Sequence, residues 1–242
     1  MQIIKADDYQ GWLYITKGEY IAVDPWLTEY QKFPKNGLLL NRKSEHQHFL
    51  NTHNNTQKVT HLIITAHFSD HLDPDSLSRL NKNTPIYTTQ LAKKILVKLG
   101  FDNVTVVKPN CNYKLGQSNL HVMQSGKPYQ STSFAYVLEN NLSTIFHEAH
   151  IFNPALSQKL KEFKLDLLIL TGDLVKVFGL IKVSMHITDA MKIQKTVLAK
   201  YLAVTGNSPE KFRGLIPKFL KYQKLSEETN LILRRPWQSL NI

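Results

Sequence analysis

Cysteine is almost missing from this chain: Cys111 is the single one in 242 residues. That excludes a disulfide scaffold and a cysteine-based zinc knuckle, and it fits a reducing compartment. A long apolar run is missing too. The most apolar stretch, 165–183, is interrupted by Asp166, Asp173, Lys176 and Lys182, so it is no membrane span. The N-terminus, MQIIKADDYQGWLYI, lacks a basic segment followed by an apolar one, so no signal peptide is expected and a cytoplasmic location is. Acidic residues are scarce, 19 against 30 Lys+Arg, which leaves a net charge of +11. Such a surface favours anionic substrates or partners. The excess is spread out, with no dense basic block, so a solvated basic surface is favoured over a nucleic-acid interface.

What is present is an ordinary globular composition. With 42% hydrophobic, 10% aromatic and 20% charged residues, the chain is no disordered tail, collagen-like fibre or coiled coil. Its length suits one large domain or two small ones.

Along the chain, Trp12–Ile15 and Tyr20–Val23 flank Thr16-Lys17-Gly18-Glu19 and read as a hairpin running into Asp24-Pro25-Trp26. Residues 28–58 are polar with few apolar islands; a loop this long reads as a lid or insertion. His61–Thr65 predicts a buried strand, followed by a helix opened by Pro74. The spacing predicts a helix over Thr89–Leu99, closed by Gly100. Strands are expected at Pro85–Tyr87, Val104–Val107, Leu120–Met123, Phe134–Leu138 and Leu142–Phe146, the last two turning at Asn140-Asn141. A helix near Ala155–Phe163, strands at Leu167–Leu170 and near Leu180–Val183, a helix over Asp189–Lys200 capped by Thr188, and a helix over residues 209–222 complete the pattern. No repeat or low-complexity linker interrupts it. Two successive β-then-α halves predict an α/β (α+β) fold of two sheets packed face to face with helices outside.

Five of the ten histidines, His67, His71, His147, His150 and His186, sit where strands give way to loops, where metal ligands from distant segments can converge. Asp70-His71 is the strongest local signal: a carboxylate and an imidazole both suit zinc or iron. The dipeptide alone is weak, and in a turn it is more often a helix cap beside a surface histidine. His46, His48 and His53 lie in the polar segment and read as solvated loop residues. His61 and His121 fall inside strand patterns and read as structural, and Cys111 has no acid–base partner nearby.

Four motifs in order carry a resemblance. The strand followed by Thr65-x-x-x-x-Asp70-His71-Leu72-Asp73-Pro74 resembles the strand plus H-x-H-x-D-H signature of the metallo-β-lactamase fold superfamily. Asp24-Pro25-Trp26-Leu27 resembles that superfamily's early D-P-W/F element. Phe146-His147-Glu148-Ala149-His150 resembles the strand end that carries its metal-bridging residue. Met185-His186-Ile187-Thr188-Asp189 resembles its last ligand histidine and the helix after it. The similarity spans roughly residues 10–205. It is closest to the branch of ascorbate-6-phosphate lactonase and N-acyl-phosphatidylethanolamine phospholipase D, and closer still to a bacterial and plastid group with T-Q-G-x-x-D-H and E-P-H.

The resemblance implies a four-layer αββα sandwich formed by one domain over 1–242, with 28–58 as a lid-like insertion. It implies that the first metal site is lost, because Ala66 and Phe68 stand for its first two histidines and no histidine stands near Ser125-Gly126. The second site remains: Asp70, His71, His150 (in place of a carboxylate) and His186 are the expected ligands of one divalent ion, zinc first, iron or manganese as alternatives. Asp70 and His71 are also the expected catalytic residues. His67 is expected behind the ligands or at the surface, with a ligand role as the alternative, and His147 behind the ligands, with a core or surface role as the alternative. Asp24 is expected to hydrogen-bond a ligand histidine, or to serve only as a turn residue before proline. The implied activity is metal-dependent hydrolysis of an ester, lactone or phosphoester, on a small and anionic substrate. The alternative is a non-catalytic member that binds an anionic partner or nucleic acid. Nothing resembles the flavin domain or di-iron ligand set of the family's redox members.

Overall fold

A computed structural model describes residues 1–206, 211–225 and 231–242, except for the side chains of His53 and Asn54. The chain divides into two compact units.

The first unit is built on Met1–Val107, joined by the strands Phe212–Arg213 and Ser239–Asn241. Its main sheet has seven strands in the order Ser239–Asn241, Gln2–Lys5, Trp12–Thr16, Glu19–Val23, His61–Ile64, Ile86–Thr88, Val104–Val106. Helices α1 (Pro74–Leu77) and α2 (Gln90–Lys98) interrupt it. Thr89 caps α2 by accepting from the Ala92 amide, and Leu96 and Ala92 bury its inner face. The parallel register Ile21↔His61, Ala22↔Leu62, Val23↔Ile63 places the end of one hairpin strand beside the end of the buried strand. Asp24 and Thr65 therefore leave the sheet side by side.

Residues 28–58 are not the irregular loop expected. Tyr30–Phe33 and Leu40–Lys43 pair with each other and with Phe212–Arg213, and Phe49–Lys58 winds as a 3-10 helix. The strands' partner lies some 170 residues away, so local polarity concealed them. The side chain of His53 lies outside the described residues.

The second unit begins at Lys108 and takes in the strand Leu220–Gln223. Its main sheet runs Tyr201–Thr205, Leu167–Thr171, Thr144–His147, Phe134–Glu139, Ser118–Gln124, Asn112–Leu115. Helices α3 (Ser157–Glu162) and α4 (Ile187–Val197) pack Leu160, Ile187, Ala190 and Val197 into a core with Phe146, Leu168 and Leu170. A small sheet joins Ile181–Lys182, Leu174–Val177 and Leu220–Gln223.

The expected helix over 209–222 is absent where the chain is described. Phe212–Arg213 and Leu220–Gln223 are strands around a 3-10 turn at Ile216–Phe219, and 207–210 lie outside the described residues. Each of those strands pairs with a distant segment, which outweighs local helical spacing. The cap of α4 is His186 rather than Thr188. Both units mix sheet and helix, the α/β class expected.

Candidate functional site

In the first unit the site starts at a strained residue. Asp24 ends the strand Glu19–Val23 with φ 42, a left-handed conformation that Asp tolerates better than most residues. That turn buries its carboxylate against the end of the next strand. Oδ1 accepts from the Thr65 amide at 2.8 Å and Oδ2 from the Thr65 hydroxyl at 2.5 Å. His71 Nδ1 lies 2.7 Å from the same Oδ2 and 2.9 Å from Thr65 Oγ1. A buried carboxylate accepts, so Nδ1 carries the imidazole proton and Nε2 keeps its lone pair. Burial pulls the His71 pKa down, but the charges of Asp70 and Asp24 and the hydrogen bond to Asp24 outweigh it and raise the value.

His71 Nε2 lies 3.6 Å from Asp70 Oδ2. Two donors on one tetrahedral zinc stand about 3.3 Å apart, so this spacing and this donor chemistry fit a divalent ion. Tyr9 approaches the same carboxylate, its hydroxyl 3.4 Å from Asp70 Oδ2. Its pKa is pushed up to about 12, by burial first.

Tyr9 is placed by a tight loop. Asp7 Oδ1 accepts from the Tyr9 and Gly11 amides, both at 2.8 Å. A Cβ at Gly11 would stand 2.0 Å from Asp7 Oδ2. Burial raises the Asp7 pKa to about 6 and lowers that of neighbouring Lys5 to about 8. His48, expected as a solvated loop residue, is buried; its Nδ1 accepts from the Leu50 amide, and burial lowers its pKa to about 3. His67 is half-buried against the Phe68 ring, and its Nδ1 meets no hydrogen-bond partner among the described residues.

In the second unit His150 follows the strand Thr144–His147 and is 5% exposed. Its ring stacks on Tyr129, with centroids 3.9 Å apart. Glu148, fully buried, accepts from the His150 amide at 2.9 Å. His147 is buried and bonds the hydroxyl of Tyr136, its cross-strand neighbour, at 2.8 Å.

Thr171 ties the two histidine-bearing loops of this unit together. Its hydroxyl donates to the His150 carbonyl at 3.0 Å and accepts from the Met185 amide at 2.8 Å. The next residue, His186, caps α4: its Nδ1 lies 2.9 Å from Thr188 Oγ1 and accepts from the Thr188 amide. For Nε2 to serve as a metal donor, Nδ1 must carry the proton and donate to Thr188 Oγ1 instead. A cavity of about 300 Å³ opens beside these loops, lined by Ile151, Phe152, Met185, Ile193 and Lys182 among others.

The structure thus joins Asp24, Thr65, Asp70 and His71 in one unit, and the loops of His150 and His186 in the other. Among the described residues, no group of three or more His, Cys, Asp and Glu side chains forms a metal-sized cluster. The sequence reading missed Tyr9, Glu148 and Thr171 as neighbours of the candidate ligands. Glu148 and His150 share one short motif, and that spacing was the available signal. At Gly126, near where the resemblance would place a third histidine, a Cβ would stand 2.5 Å from the Ile151 carbonyl oxygen, which leaves no room for any side chain.

Comparison with known proteins fits this framework. A family model described as beta-lactamase superfamily domain matches residues 4–203. No curated protein sequence matches the chain. Among solved structures, isothiocyanate hydrolase from Delia radicum gut bacteria superposes with a TM-score of 0.67 at 17% identity, over 85% of each chain. Igni18, a metallo hydrolase from the hyperthermophilic archaeon Ignicoccus hospitalis, gives 0.69 at 13% identity over 99% of this chain and 98% of that one. CmlA, a diiron beta-hydroxylase from Streptomyces venezuelae, gives 0.65 at 14% identity over 84% of this chain and 44% of that one.

Proposed function

Because the chain belongs to the beta-lactamase superfamily, we propose that it is a metal-dependent hydrolase of a small anionic ester, lactone or phosphoester, in the branch of ascorbate-6-phosphate lactonase and N-acyl-phosphatidylethanolamine phospholipase D. The observation that carries this reading is the Asp24–His71–Asp70 arrangement. A buried carboxylate fixes the imidazole tautomer, and the ring's other nitrogen lies 3.6 Å from a second carboxylate. Two relatives of the fold are named as hydrolases.

Asp70, His71, His150 and His186 would hold one divalent ion, zinc first, with iron or manganese as alternatives. Bound there, it would supply Lewis acidity and a water of lowered pKa. The remaining work falls to the chain. Asp24 and Thr65 hold the His71 proton at Nδ1. Tyr9 steadies the Asp70 carboxylate. Thr171 holds the loops of His150 and His186 together. Residues 28–58 act as the lid of a single-domain enzyme, and the +11 net charge draws the anionic substrate in.

Elemental analysis of tag-free protein, wild type beside His71→Ala and His186→Ala, tests this. About one zinc, iron or manganese per chain, lost in both variants, supports it. No metal after reconstitution overturns it.

A second reading has its own observation. Ala66 and Phe68 cannot ligate, and Gly126 has no room for a side chain. A member so depleted would be a non-catalytic binding protein for an anionic partner such as nucleic acid. Metal-independent nucleic-acid binding that falls steeply with salt would single it out.

A further inference from the structure

Among the described residues, the first unit buries a cation without an ion-pair partner. Arg42, on the strand Leu40–Lys43, is 3% exposed. Its guanidinium lies 3.7 Å from the centroid of the Tyr9 ring, with the Phe212 ring at 5.1 Å and the Trp26 ring at 5.8 Å. Nη1 donates to the uncharged Gln31 Oε1 at 3.1 Å, the Tyr9 side chain is a further hydrogen-bond partner, and Nε has none among the described residues. Among the described residues no carboxylate stands within ion-pair distance of it. The neighbouring Lys43, by contrast, pairs with Glu29 at 3.0 Å.

A buried guanidinium without a counter-charge is costly, and cation–π contacts return only part of that cost. Its location is informative. The ring on which it stacks belongs to Tyr9, whose hydroxyl reaches Asp70. The cation therefore stands one side chain away from the Asp70–His71 pair.

We infer that Arg42 is an anion-recognition residue: its guanidinium takes the carboxylate or phosphate group of a small molecule bound beside Asp70 and His71. The planar fork of donors suits an oxyanion, which would satisfy Nε together with a terminal nitrogen. Because Arg42 is so deeply buried, binding goes with displacement of the hairpin formed by Tyr30–Phe33 and Leu40–Lys43. Calling this anion the substrate rests on the hydrolase reading; the anion site itself does not.

The test uses the full chain freed of metal by chelation, so a failed metal reading leaves its outcome intact. Wild type, Arg42→Gln and Lys43→Gln are titrated calorimetrically with inorganic phosphate and, separately, with acetate. The expected result is saturable binding of one of the two to wild type and to Lys43→Gln, weakened about tenfold or more in Arg42→Gln. The anion that binds identifies the group. Binding of neither anion to wild type, or equal binding to Arg42→Gln, overturns the inference. If Arg42→Gln fails to fold, Arg42→Lys keeps the charge but loses the fork, and is expected to bind more weakly. Crystals of wild type grown with the binding anion need no variant: the anion at the Arg42 guanidinium supports the assignment, and the anion bound only elsewhere overturns it.

Discussion

Asp24 Oδ2 and His71 Nδ1 stand 2.7 Å apart, wholly buried, across 47 residues of chain. The pair turns a generic Asp-His dipeptide into an oriented donor. It also explains why the threonine five residues before Asp70 matters: Thr65 donates twice to Asp24 and locks that carboxylate in place.

Asp24→Asn is the direct probe of this pair. Asn tolerates the left-handed φ of 42 and keeps the acceptor for the Thr65 amide. It presents no charged acceptor to His71. Metal affinity, measured by competition with a chelator, is expected to fall about 10- to 100-fold while the circular dichroism spectrum stays unchanged. Unchanged affinity would show that Asp24 does not orient a ligand.

Thr171→Val tests the staple between the two loops of the second unit. Valine fills the same volume but leaves the buried Met185 amide and the His150 carbonyl without the hydroxyl they share. A loss of about 2 kcal/mol in chemical denaturation is expected. A variant as stable as wild type would mean that the loops do not depend on the hydroxyl.

Asp7→Asn addresses the loop that carries Tyr9, through its pH dependence. Burial raises the Asp7 pKa from 3.8 to about 6. The neutral acid is favoured in the folded state, so its contribution is full below pH 3.8 and is lost as pH rises through about 6. The difference in stability between variant and wild type is therefore expected to move in the variant's favour by about 3 kcal/mol between pH 3 and pH 7. His48, whose pKa burial lowers to about 3, has its Nε2 3.9 Å from Asp7 Oδ2, so the comparison reads this buried pair rather than Asp7 alone. Parallel stability curves across that range would rule this account out.

Gly126→Ala tests the closely packed backbone at Gly126. The new methyl would stand 2.5 Å from one backbone carbonyl oxygen and 2.8 Å from the next, neither able to move alone. A destabilisation of about 2 kcal/mol or more, seen as a melting point lower by about 4 °C or more, is expected. A melting point within a degree of wild type would show that the backbone yields there.

Elements whose signals lie within a few residues were legible from the sequence. Thr89 caps α2 where the spacing predicts it, and the strands flanking Asn140-Asn141 form a hairpin. Elements that depend on a distant partner were not. The strands Tyr30–Phe33 and Leu40–Lys43 look like a polar loop because what makes them strands is pairing with each other and with Phe212–Arg213. The strand Gln2–Lys5 likewise pairs on one side with the edge strand Ser239–Asn241 at the far end of the chain. The helix expected over 209–222 yielded to the same long-range pairing.

The candidate site divides along the same line. Composition, periodicity and the order of motifs by themselves determined the α/β class and pointed to the histidines at strand ends, because burial patterns and turn chemistry are local. Only the tertiary structure decided what those side chains touch: Asp24 behind His71, Tyr9 against Asp70, Thr171 between two loops, Arg42 buried among aromatic rings. Hydrogen bonding and desolvation depend on which atoms meet in space, and spacing along the chain carries no record of that.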